Sequence, residues 1–140
     1  MKIKNYITIM LLLVANTVLL ARPQLHDLDI KVVLSRNGDA RITETRLMSI
    51  DSEGTECYIG LANMGESEIR DLEVTDESGA RFLNVDWDIH QDRAWKTMKC
   101  GIVRTKSGYG ICWGLGQSGE RTYVTTYTMT GLVRGYPDAN

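Results

Sequence analysis

From Asp29 to Leu34 the chain reads "DIKVVL", and Ile30, Val32 and Leu34 fall on alternate positions. A period of two places them on one face of an extended strand. "SRNGDA" follows with an Asn-Gly pair, and "RITETRLMSI" resumes the extended pattern, which predicts a hairpin. Turn clusters ending in glycine return at "DSEG", "DESG" and "TKSG", separated by strand-like stretches such as "IRDLEV", "FLNVDWDI" and "YGICW". No window after residue 22 keeps apolar residues at helical spacing over three turns, and the two prolines, Pro23 and Pro137, stand at the ends. The pattern predicts an all-β fold, an antiparallel β-sandwich of immunoglobulin-like or similar kind. With no repeat, low-complexity tract or interior linker, residues 22–140 read as one domain.

The N-terminus breaks this pattern. Lys2 and Lys4 precede an apolar run from Ile7 to Ala21, with Ala21 placed before Arg22 and Pro23. That order of charge, apolar run and small residue predicts a signal helix over residues 1–21. A retained anchor is the competing reading, because Leu19 is bulky for a cleavage site. Nothing after residue 21 is apolar enough to cross a bilayer, which needs roughly 20 apolar residues. The expected location is therefore exported, in the periplasm or at the cell surface, with membrane attachment through the leader if it is kept. Removal of Lys2 and Lys4 leaves 14 basic against 18 acidic side chains, a balance that disfavours nucleic acid as a partner.

Gly114, Gly116 and Gly119 spell G-x-G-x-x-G, the dinucleotide fingerprint. That motif needs a strand before the glycines and a helix after them, so that helix N–H groups face a pyrophosphate. Here "ERTYVTTYTM" follows, rich in threonine, tyrosine and valine, which favours a strand. The glycines are expected to link two strands, and no cofactor is implied.

Candidate chemistry is sparse. His26 and His90 belong to no zinc motif, and "GQSGE" lacks the last glycine of a serine nucleophile elbow. In "DWDIHQD" an extended backbone would put Asp86, Asp88, His90 and Asp92 on one face, with Trp87 and Ile89 on the other. Same-face Cβ atoms lie roughly 7 Å apart, too far for all four to converge on one ion, so the run reads first as a polar strand face and only second as a cation site. A glycosidase pair could be recruited from Glu44, Glu73, Asp86 and Glu120, although sequence supplies no pairing. Glu44 shares parity with Ile42, Arg46 and Met48, so it is either buried beside a cation such as Arg46 or Arg121 or turned outward by a twist.

Cys57, Cys100 and Cys112 are odd in number for an oxidising compartment. A hairpin about Lys106 and Ser107 would bring Cys100 and Cys112 nearly opposite, within disulfide reach, and the alternative is three small buried thiols. Of Trp87, Trp95 and Trp113, Trp95 lies in a polar stretch and is the candidate for an exposed ring that contacts a ligand, with Asp88 and His90 nearby in sequence.

Three stretches, "NGDARITET", "GICWG" and "ERTYVTTYTMTGLVRGYPD", resemble a bacterial family of predicted membrane proteins, the domain-of-unknown-function family 2207. Arg121, Thr122, Tyr123, Tyr127, Val133, Tyr136 and Asp138 carry the likeness, which spans most of residues 27–138. The resemblance implies an exported β-rich domain that in many members precedes membrane helices, and it brings no catalytic residue to carry over. Members run on into further strands, which implies an incomplete domain here, with the "TYVTTYTMTGLV" strand or a neighbour at an unpaired edge. The expectation is a non-enzymatic, exported envelope domain that binds or supports an envelope protein or a glycan. A secreted carbohydrate-binding, carbohydrate-active or metal-dependent protein is the alternative.

Overall fold

The computed structural model describes residues 23–134, so the leader expected over residues 1–21 lies outside the described residues, as do Tyr136 and Asp138. The described chain folds as β1 (Gln24–Leu34), β2 (Ala40–Ile50), β3 (Glu56–Leu61), β4 (Ile69–Asp76), β5 (Leu83–Asn84), α1 (Arg93–Lys96), β6 (Lys99–Arg104), β7 (Tyr109–Gly114) and β8 (Gly119–Met129). Two four-stranded sheets stack as the predicted sandwich, ordered β1-β2-β8-β4 and β3-β7-β6-β5. All pairings are antiparallel except β5 with β6.

The expected hairpin is β1–β2, in register from Leu34 opposite Ala40. Its turn needs positive φ, which Gly38 supplies at 87° while donating its N–H to the Ser35 carbonyl at 3.0 Å. On β2, Ala40, Ile42, Glu44, Met48 and Ile50 alternate inward, and on β8 Tyr123, Thr125 and Tyr127 do the same. Their faces meet Trp113 and Ile111 from the second sheet, with the Trp113 and Tyr123 rings 5.7 Å apart. Each such fully buried large apolar side chain stabilises the fold by about 1.5–3 kcal/mol.

Side-chain contacts fix how the layers align. The Cys57 thiol lies 3.6 Å from the Met48 sulfur, so β3 sits over β2. Trp113 against Tyr123 sets β7 over β8, and the Cys100 thiol beside the Val74 backbone N–H sets β6 over β4. The sheets are thus offset by one strand, and β1 has no strand of the described residues across from it. All eleven residues of β1 are exposed.

The glycine motif is a strand-to-strand connection, as its β-branched sequel predicts. Residues 115–118 cross from β7 in one sheet to β8 in the other, and Gly119 starts β8 at φ 123°. The Gly116 N–H donates to the Tyr123 hydroxyl at 3.2 Å.

Of the expected edge, the strand or a neighbour, it is the neighbour: β8 lies inside its sheet between β2 and β4, and among the described residues the edges of that sheet are β4 and β1. One expectation needs correction. The run from Asp86 to Asp92 is not a strand: it loops into α1, and no alternating polar face exists.

Candidate functional site

The loop of residues 85–98 lies over the outer face of the second sheet, and glycine makes room for it. A Cβ on Gly101 would meet the Val85 carbonyl oxygen at 2.6 Å and the Trp87 Cβ at 2.8 Å, while one on Gly114 would meet the Lys96 carbonyl oxygen at 1.9 Å. Trp87 is buried by this approach, and its Nε1–H donates to Glu56 Oε2 at 2.6 Å. Lys96, only 1% exposed, donates from Nζ to the Ile89 carbonyl at 2.8 Å, to Thr55 Oγ1 at 3.2 Å and to Glu56 Oε1 at 3.2 Å. One buried ammonium therefore spends all three donors on fixed acceptors. Lys96 holds the loop down and is not free to react.

Arg93 has a similar role at the sheet ends. Its guanidinium donates to the carbonyls of Gly54 at 2.6 Å, Gly116 at 2.5 Å and Asp51 at 3.2 Å, tying α1 to the β2–β3 and β7–β8 connections. Beside it opens a shallow cleft of about 720 Å³ lined by Ser52, Arg93, Ala94, Thr97, Gly116, Gln117 and Ser118. No acid or histidine lines it, and both terminal nitrogens of its one charged side chain, Arg93, already donate to backbone carbonyls.

The residues singled out in "DWDIHQD" separate. The Asp88 carboxylate accepts the His90 backbone N–H at 2.9 Å and the Gln91 side-chain amide at 3.0 Å, bonds that hold its pKa below the ordinary value. Asp92 instead caps α1, accepting the Trp95 N–H at 2.7 Å. Asp86 and His90 are exposed. Among the described residues no three His, Cys, Asp or Glu side chains gather as a metal site.

Trp95 is half-buried, set edge-on against Trp87 at 5.9 Å, and the Lys99 ammonium lies 4.2 Å from its ring centroid. A sugar stacking on that face would have to displace the cation.

The four carboxylates weighed as a glycosidase pair are scattered as well. Glu73 is on the outer face of β4, bridged to Arg81 at 3.0 Å and Arg41 at 3.7 Å, and Glu120 is exposed at the start of β8. Glu44 is in the core, where it accepts the Tyr127 hydroxyl at 2.6 Å and pairs with Arg46, one of its two foreseen partners. The other, Arg121, pairs with Glu77. Burial, with the hydrogen bond and charge of Glu44, pushes the Tyr127 hydroxyl well above its usual pKa.

Of the two readings of the cysteines, a Cys100–Cys112 disulfide or three thiols, the structure has the second: Cys57, Cys100 and Cys112 are free. Cys100 stands opposite Trp113, and Cys112 opposite Gly101, so the register differs by one residue from a direct pairing. One residue of slip turns the two thiols to opposite faces of the sheet. Cys100 joins the core, whereas Cys112 faces the Lys96–Glu56 side; burial pushes them up to about 11 and about 12 respectively.

The feature that sequence reasoning missed is the inner face of β1. Leu28, Ile30, Val32 and Leu34 stand opposite Arg46, Glu44, Ile42 and Ala40, on the core side of the sheet, yet they are 38–56% exposed. A bulge at His26 lets Leu25 join the same face, opposite Met48. Asp27, Asp29 and Lys31 take the other face, opposite Leu47, Thr45 and Thr43. β1 is thus an amphipathic strand patterned for a core that, among the described residues, does not cover it. The period-two signal was present in "DIKVVL", but sequence does not reveal that the facing layer is shifted by one strand.

These features define a two-layer β-sandwich module whose interior, among the described residues, is uncovered on one side. Residues 24–140 match a family described as the N-terminal domain of predicted membrane protein DUF2207, and the chain belongs to that family. No curated protein and no solved structure matches it. Among the described residues no helix is long and apolar enough to cross a membrane.

Proposed function

We propose that this chain is a non-enzymatic, exported cell-envelope module that works by docking a partner strand on its open β1 side. The observation that carries this reading is the apolar inner face of β1, exposed beside a strand edge whose N–H and C=O groups, among the described residues, lack a neighbour on one side. Such an edge binds extended chain by main-chain hydrogen bonds, and alternate side-chain positions supply the selectivity. The buried charged side chains support it from another direction, because Lys96 and Glu44 are fully engaged in holding the fold together.

A photo-crosslinking residue at Val33 on β1, carried by the full chain in the cells that make it, tests the reading. Covalent adducts from position 33 and none from the same residue at Glu120 are the expected result. Absence of any adduct at position 33 would remove the docking role.

A further inference from the structure

The open side has a specific geometry. In the first sheet β1 is the edge strand, and in the second sheet β3 is the edge strand on the same side, one position short of β1. The position beside β3, which no strand of the described residues fills, faces Leu28, Ile30, Val32 and Leu34 across the layer gap, and its near wall is the half-buried edge formed by Ile59 and Leu61. Its occupant must be an extended strand with apolar residues at alternate positions on the side that faces β1. It must also keep its polar residues outward.

β1 itself meets each requirement. We infer that the occupant is the β1 of a second copy of this chain, an inference that rests on the docking role proposed for β1. The symmetry closes without leftover surface. A two-fold axis parallel to the strands, midway between the two β1 strands, sets each β1 beside the other copy's β3 and face to face with the other β1. Two continuous sheets result, each ordered β4-β8-β2-β1 in one copy and then β3-β7-β6-β5 in the other.

Direction is consistent with this arrangement. The end of β2, Ile50, lies opposite Gly119 at the start of β8, and Glu56 at the start of β3 lies opposite Gly114 at the end of β7. β3 therefore runs against β2 and along β1. An axis parallel to the strands preserves direction, so the new junction is parallel, a pairing the fold already contains between β5 and β6. Asp27 and Asp29 stay on the solvent side.

The interface is isologous and finite, and it removes both open edges at once. The apolar face of β1 contributes on the order of 400 Å² per copy, the size of patch that marks an interaction surface. Burial of the two strand edges adds to this, towards the roughly 800 Å² per partner of a stable interface.

Light scattering on the purified full chain tests the inference. The expected mass is twice that of one chain, falling to a single chain on dilution. Ile30→Glu/Val32→Glu is expected to be monomeric, and Lys31→Glu, on the outward face, is expected to remain dimeric. Ile30→Thr/Val32→Thr, which keeps strand propensity, is expected to weaken the dimer at least about tenfold, and it serves where the glutamates disturb folding. A wild-type chain of single mass, or a dimer indifferent to both double variants, overturns the inference. A monomer that still gives crosslinks of non-self mass from position 33 leaves the docking role standing without the second copy, whereas a monomer without such crosslinks removes both.

Discussion

Glu44 shows what one residue's parity reveals. Its place on the inward face of β2 is readable from "RITETRLM", because Ile42 and Met48 share it, and the same alternation brings Arg46 inward as the partner. The choice of Arg46 over Arg121 depended on where Glu77 lies, which no local pattern contains. Tyr127, from the far end of the chain, completes the group by donating its hydroxyl. Tyr127→Phe is expected to lower stability by about 1–3 kcal/mol, since a buried carboxylate loses a donor. Removing Arg46 leaves Glu44 without its cation; Arg46→Ala should cost about 3 kcal/mol, somewhat reduced because the arginine reaches solvent. Urea denaturation of both variants against wild type checks the order. The cysteines were less readable because hairpin register decides everything there, and a slip of one residue converts a disulfide into two thiols on opposite faces. Alkylation followed by mass measurement should find three alkylated thiols after unfolding without reductant, and slow labelling of Cys100 and Cys112 in the native state.

Strands with clean alternation were legible as elements, and the segment from Asp86 to Lys96 was not. Read locally, "DWDIHQD" alternates as well as any strand, but the backbone is taken by other bonds: Asp88 caps a turn, Asp92 caps α1, and Lys96 is drawn under the loop by Glu56. The clue was in the neighbours. Gly101 and Gly114 occupy outward positions on β6 and β7 that a half-solvated strand would fill with polar side chains, and glycine there marks backbone pressed close above. Gly114→Ala should force the Lys96 carbonyl away and destabilise by about 1–3 kcal/mol, the usual range for overpacking. Lys96→Met should cost a comparable amount by leaving Glu56 with Trp87 as its remaining donor, and should loosen the loop first. Hydrogen exchange at residues 86–97, accelerated in both variants while β8 stays protected, would show the element failing before the sandwich.

At the scale of the whole molecule the two-sheet class followed from pattern alone, but the one-strand offset between sheets did not. Offset depends on which side chains interlock across the layers, Met48 with Cys57 and Tyr123 with Trp113, and these pairs lie 9 and 10 residues apart in sequence without any periodic sign of their contact. The same interlocking determines how the fold answers pH. Cys57, Cys100 and Cys112 are each held protonated chiefly by burial, with values raised from 9.0 to about 11, about 11 and about 12, and burial also raises Tyr123 and Tyr127 above 10.0. An acid whose folded pKa is raised binds its proton more tightly in the folded state. Its contribution is fully present below the unfolded value and is lost as pH rises through the folded one. Stability should therefore decline from about pH 9 upward as the unfolded chain ionises thiols and then phenols that the sandwich keeps neutral. Asp76, Asp88 and Glu77 act in the opposite sense, since hydrogen bonds lower their folded values; their smaller, solvent-screened contribution is present above the ordinary carboxylate range and fades as pH falls below it. Tyrosinate absorbance and circular dichroism followed together from pH 8 upward distinguish this account from simple exposure. Tyr127 should ionise only as the sheet signal collapses, and ionisation of all tyrosines ahead of that collapse would mean that the β8 face is already open to water.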